Sequence, residues 1–138
     1  MQFPTMPTDG IRRPVVPLTL ETIDGATRII VDALIDTGSD ITLFSADVAT
    51  LLGINLGSDG NKPVTSALGT GDSYWPAELF LELRRFPELL RWKATVGFLP
   101  RQMAYGLLGT KGFFEFFRLR YDARQNILDI EPGGPLPL

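Results

Sequence analysis

The stretch Ala33-Leu34-Ile35-Asp36-Thr37-Gly38-Ser39-Asp40 carries the decision about fold. Three apolar residues end a β-branched run that begins at Arg28, and they deliver an aspartate into small and polar residues that must form a loop. Gly38 permits close backbone approach, and Thr37 and Ser39 bring hydroxyls able to orient a carboxylate. Asp-Thr-Gly-Ser is also ordinary turn chemistry. On these residues alone, Asp36 is either a hydrogen-bonded turn residue or a functional acid.

Outward from this loop the chain reads as short strands. Before it, Leu18, Leu20 and Thr22 alternate with Thr19, Glu21 and Ile23, and Asp24-Gly25 offers the positive φ angles of a two-residue hairpin turn. After it, Ile41 to Phe44 is a short strand, and Ser45 N-caps a helix over Ala46 to Leu52 that Gly53 stops. Val64 to Leu68 and Ser73 to Leu83 flank Gly69-Thr70-Gly71-Asp72, a hairpin with a glycine-rich tip. Beyond Phe86-Pro87, Trp92, Ala94, Val96 and Phe98 alternate with polar neighbours as a second clear period-2 strand. Tyr105 to Leu108 is a short apolar strand, Thr110 to Phe116 is expected as a short helix, and Arg118 to Ile130 as a last hairpin. The expected division is an extended arm over 1–16, rich in proline, a domain over 17–131, and a loose tail over 132–138. Many short strands with one or two short helices predict an all-β fold, a closed barrel.

Composition narrows the chemistry. The 138 residues contain no cysteine and no histidine, which excludes thiol nucleophiles, Ser-His-Asp machinery and the usual zinc sites. Carboxylates, lysines and tyrosines remain for acid–base work, and no metal or other cofactor is implied. A net charge of -3 argues against nucleic acid as a partner. No apolar run reaches the roughly 18 residues of a membrane span. Met1 to Gly10 lacks the order of a secretory signal, so a cytoplasmic location is expected over a secreted one.

The loop Ala33 to Asp40 resembles the active-site loop of the retropepsin-like (retroviral-type) aspartic proteases, of the cellular or bacterial single-domain kind. Tyr105-Gly106-Leu107-Leu108-Gly109 resembles the family's second hallmark, and Ser66 to Tyr74 stands where the family places its flap hairpin. The resemblance covers roughly Val15 to Ile130 and implies a closed acid-protease barrel with a flap. It also implies an aspartic endopeptidase acting on peptides or proteins. No second Asp-Ser/Thr-Gly occurs in 138 residues, so the two carboxylates that share a proton in such enzymes must come from a homodimer.

The implied catalytic residues are Asp36, Thr37 and Gly38: Asp36 as the acid, Thr37 bonding across the dimer axis, and Gly38 offering its carbonyl to substrate. The implied substrate-binding residues are Asp40 and the flap residues Leu68, Gly69, Thr70 and Gly71. Leu107, Leu108 and Ile35 are expected to floor the site. Viral members follow the second glycine with an arginine that pairs with the aspartate matching Asp40. Here Thr110 and Lys111 follow Gly109, so that ion pair is missing or made by Lys111 or another arginine. Two alternatives stay open: a catalytically silent module of the same fold that dimerises or binds peptides, and an unrelated small β-barrel in which Asp36 serves only a turn.

Overall fold

The computed structural model describes residues 1–8, 10–57, 64–65 and 73–138. In chain order the strands are β1 (Gln2–Phe3), β2 (Met6–Thr8), β3 (Ile11–Arg13), β4 (Val15–Thr22), β5 (Arg28–Ile35), β6 (Leu43–Ser45) and β7 (Val64–Thr65). The long pair β8 (Ser73–Arg85) and β9 (Glu88–Leu99) follows, then β10 (Gly106–Leu108), β11 (Phe117–Asp122) and β12 (Ile127–Pro132). One helix, α1 (Ala46–Leu51), lies among the described residues.

Six strands close into a barrel in the order β4-β5-β10-β6-β9-β8, and β8 returns to pair with β4 through Thr19↔Glu82 to Thr22↔Leu79. Closure removes the free edges that an open sheet would expose. The period-2 patterns decide which side chains enter. Leu18 and Leu20 of β4, Leu79, Leu81 and Leu83 of β8, and Trp92, Val96 and Phe98 of β9 are all buried. Trp92 is the largest of them, and its indole N–H donates to Gly112 O at 2.7 Å, so its one polar atom is satisfied. Phe113 stacks on it at 6.1 Å, and Phe117 meets it edge-on at 4.6 Å.

The outward face of β8 and β9 carries one unexpected group. Glu82 is only 2% exposed, although it points away from the core. Arg28 Nη2 reaches its carboxylate at 2.7 Å, Arg91 Nη1 at 3.2 Å and Arg84 Nη2 at 3.4 Å, and Arg91 also lies 4.1 Å above the Phe80 ring. Glu21 joins through Arg91 at 2.8 Å. The Arg91 hydrogen bond holds Glu21 below its ordinary value of 4.5 against the opposing effect of desolvation. Its contribution to stability is therefore full above that value and fades as the pH falls through the lowered one. Glu82→Ala leaves three guanidinium groups without their shared anion. The expected loss is about 2 kcal/mol in denaturant unfolding, below the 3–5 kcal/mol of a fully buried pair because Arg28 and Arg91 keep water contact.

Several expectations change in detail. Residues 110–116 are turns, not a helix: Gly112 sits at φ 93°, and the bonds Phe114 N–H to Gly109 O and Glu115 N–H to Thr110 O reach back five positions where an α-helix reaches four. The connection after β4 runs over five residues. Only Gly25 has positive φ (74°), because Asp24 Oδ1 accepts the Thr22 hydroxyl at 2.7 Å and the Ala26 N–H at 3.0 Å. The strand expected from Ile41 begins at Leu43, with Ile41 forming a single bridge to Lys111.

The proline-rich arm is extended but tied down. β1 pairs with β12, β2 pairs with β3, and β4 already begins at Val15. Phe3 is 4% exposed, and Leu128 and Ile130 beside it belong to the same apolar cluster as the barrel interior. The tail also makes contact, with Lys93 N–H donating to Pro137 O at 2.7 Å. No helix among the described residues is long and apolar enough to cross a membrane.

Candidate active site

β10 lies between β5 and β6, parallel to the first (Gly106↔Ala33, Leu107↔Leu34, Leu108↔Ile35) and antiparallel to the second (Leu107↔Leu43). The chain leaving β5 must therefore cross the end of β10 before it can enter β6. Residues 36–42 make that crossing, and main-chain bonds lock it. Asp36 N–H donates to Leu108 O at 3.0 Å, Thr110 N–H to Ser39 O at 2.9 Å and Lys111 N–H to Asp40 O at 2.9 Å. Thr42 donates to Lys111 O through its N–H (3.0 Å) and its hydroxyl (2.9 Å), and the same hydroxyl accepts Gly109 N–H at 3.2 Å. A Cβ on Gly109 would stand 2.6 Å from Ser39 O, so only glycine lets the two segments approach this closely.

At the start of this crossing the Asp36 carboxylate is half-buried, and its Oδ1 accepts the Gly38 N–H at 2.9 Å. Thr37, Gly38 and Asp40 are exposed, and the Thr37 hydroxyl has no hydrogen-bond partner among the described residues. Ser39 is buried and donates to Ile41 O at 2.7 Å. Asp40 makes no ion pair among the described residues. Lys111 meets it only through the backbone bond from Lys111 N–H to Asp40 O, so among the described residues no side chain stands in for the arginine of the resemblance.

Strand parity sorts the residues around the carboxylate. Ile35 (6% exposed) and Leu108 (0%) point into the barrel core, so they support the site from within and do not line its floor. Leu34 and Asp36 are two apart and share the opposite face. On that face Leu34, Leu107 and Leu43 run in register across β5, β10 and β6, all half-buried, and Gly97 of β9 continues the row beside Leu43. Leu34 and Leu43 were not singled out from sequence. The alternation within Leu34-Ile35-Asp36 was the signal that could have found Leu34.

Tyr74 packs against Gly97, where an added Cβ would lie 2.6 Å from its ring. Tyr74 also belongs to the hairpin that pairs Val64↔Tyr74 and Thr65↔Ser73, and Leu68, Gly69, Thr70 and Gly71 lie outside the described residues. Trp75, next along, lines a pocket with Ala46, Thr50 and Ile54, and its Nε1 is buried with no acceptor among the described residues.

No protein-family model and no curated protein matches the sequence. Among solved structures, one that matches is a retropepsin-like aspartic protease from Rickettsia conorii, with a TM-score of 0.60 over 93% of this chain and 88% of that one. The fold is retropepsin-like. Identity between the two chains is 15%, so the likeness is one of architecture.

Proposed function

We propose that this chain is a homodimeric aspartic endopeptidase in which two copies of Asp36 activate one water. The observation that carries the reading is the Asp36 carboxylate itself. It is fixed by the Gly38 N–H and accessible at the end of β5, and it stands beside the row Leu34-Leu107-Leu43, which offers apolar surface to substrate side chains. The structural neighbour's description as an aspartic protease supports the same chemistry.

One chain supplies one such carboxylate, so a two-fold axis must pass close to Asp36 to bring its copy into contact. Two carboxylates at close range share a single proton. The ionised member takes a proton from a water held between them as the water oxygen bonds to the peptide carbonyl carbon. The protonated member gives its proton to the carbonyl oxygen. The resulting gem-diol collapses with proton transfer to the amide nitrogen, and the C–N bond breaks. In this reading Thr37, whose hydroxyl faces solvent in the single chain, bonds across the axis and stiffens the pair of loops. Gly38 offers its carbonyl, and Asp40 its carboxylate, to substrate main chain. Leu68, Gly69, Thr70 and Gly71 close over the peptide and exclude water.

The test is cleavage of a denatured protein between pH 4 and 7 at several enzyme concentrations. Specific activity is expected to fall on dilution, in step with the loss of dimer measured by light scattering. Activity per chain that stays constant into the monomeric range overturns the shared site, and no cleavage at any concentration overturns the peptidase reading.

A further inference from the structure

The face that carries Leu34, Leu107, Leu43 and Gly97 extends past that row. Ile41 lies two residues before Leu43, and Thr95 two before Gly97, so both share the face. Pro76 pairs with Gly97 and Glu78 with Thr95. Ile41, Pro76, Glu78 and Thr95 line a pocket of about 490 Å³, and Lys111 and Pro137 line it with them. The pocket therefore sits between the Asp36 loop and the base of the hairpin that bears Tyr74. It begins one strand repeat, about 7 Å, from the apolar row.

Four charged groups face this pocket: Glu78, Lys93, Lys111 and Glu115. Lys93 Nζ lies 4.0 Å from Glu78 Oε1 and 5.6 Å above the Phe80 ring. Glu115 Oε1 accepts the Gly112 N–H at 2.8 Å. Lys111 makes no ion pair among the described residues, yet its backbone is clamped on both sides, to Asp40 O and by Thr42. Its side chain thus starts from backbone that is hydrogen-bonded on both sides, and it lines the pocket together with Ile41 and Pro76.

We propose that this pocket is an outer substrate subsite in which Lys111 selects a glutamate side chain of the bound peptide. An extended peptide repeats its side chains on one face every two residues, about 7 Å, which matches the step from the Leu43 row to the Ile41–Thr95 row. The glutamate is then the residue two positions beyond the one resting on Leu43, outside the pair that flanks the cleaved bond. Its methylenes cover Ile41 and Pro76, and its carboxylate meets Lys111. The inference rests on the peptidase reading for its geometry, but its test does not depend on turnover.

Matched peptides with a common apolar cleavage pair, scanned with Glu, Gln or Lys at the outer positions, decide it. At one outer position Glu is expected to exceed Gln by about 5–10-fold in kcat/KM at low salt, with the ratio shrinking at high salt. Lys111→Met should bring that ratio to about one, and Lys111→Glu should favour the Lys peptide. The same ratios are expected in the Kd of uncleaved peptides for Asp36→Asn, measured by fluorescence anisotropy. Cleavage without a Glu preference, or a preference that survives Lys111→Met or is lost instead in Lys93→Met, overturns the subsite and leaves the peptidase reading standing. Glutamate-dependent binding without any cleavage does the reverse, and failure of every peptide to bind overturns the subsite.

Discussion

Asp36→Asn is expected to lower peptide hydrolysis at least about 10³-fold while leaving the fold intact, because general acid–base steps contribute 10²–10⁴-fold and the substitution removes the group that both takes and gives the proton. Asparagine keeps the shape of the side chain and an oxygen that can accept the Gly38 N–H, now at 2.9 Å from Oδ1. Unfolding free energy should therefore stay within about 0.5 kcal/mol of wild type. The dimeric site adds a sharper consequence. If wild type and Asp36→Asn chains exchange at random, equal mixing leaves about a quarter of the dimers with two carboxylates. Activity of the mixture should fall to about a quarter of that of undiluted wild type at the same total concentration, measured after subunit exchange is complete. A value of one half instead means that each chain works alone, and unchanged cleavage by the pure variant removes Asp36 from the chemistry.

The parts of this fold that follow from local rules were legible in the sequence. Alternation placed Trp92, Ala94, Val96 and Phe98 on one side of β9, and all four are buried. Ser45 and Gly53 flank α1 as expected, the glycine at φ 73°, but the Ser45 side chain makes no capping hydrogen bond and the helix ends at Leu51. The Asp36 loop was found because an apolar strand ending in Asp-Thr-Gly-Ser is a local pattern. What escaped depends on residues far apart in the chain. The turns at 110–116 look helical in composition, but Phe113 and Phe117 are fixed by Trp92 from another strand, and Gly112 breaks the helical path. Glu82 is buried because Arg28, Arg84 and Arg91 converge on it from β5, β8 and β9. Leu43 enters the cleft row only through its pairing with Leu107, a register set by the crossing itself.

Gly109→Ala should be the most destabilising glycine-to-alanine change among the described residues. The added Cβ would lie 2.6 Å from Ser39 O and 2.7 Å from Ile41 C, both backbone atoms of the loop that carries Asp36. Rotating a side chain cannot relieve such a contact. The loop can retreat only by stretching the bonds Thr110 N–H to Ser39 O (2.9 Å), Lys111 N–H to Asp40 O (2.9 Å) and Thr42 N–H to Lys111 O (3.0 Å). Gly109 N–H would also lose Thr42 Oγ1, its buried acceptor at 3.2 Å. Overpacking in a close-packed interior costs about 1–3 kcal/mol, and rigid backbone on both sides puts this site at or above the upper end, about 3 kcal/mol or more. For a chain of this size that corresponds to a fall in Tm of about 10–15 °C. Gly134→Ala is the matched control, since nothing lies within 4 Å of a Cβ built there. The two variants should separate clearly in thermal unfolding. A Gly109→Ala chain within about 1 kcal/mol of wild type would mean that the Asp36 loop and the end of β10 are not held at this distance, and the support argued for the carboxylate would go with it.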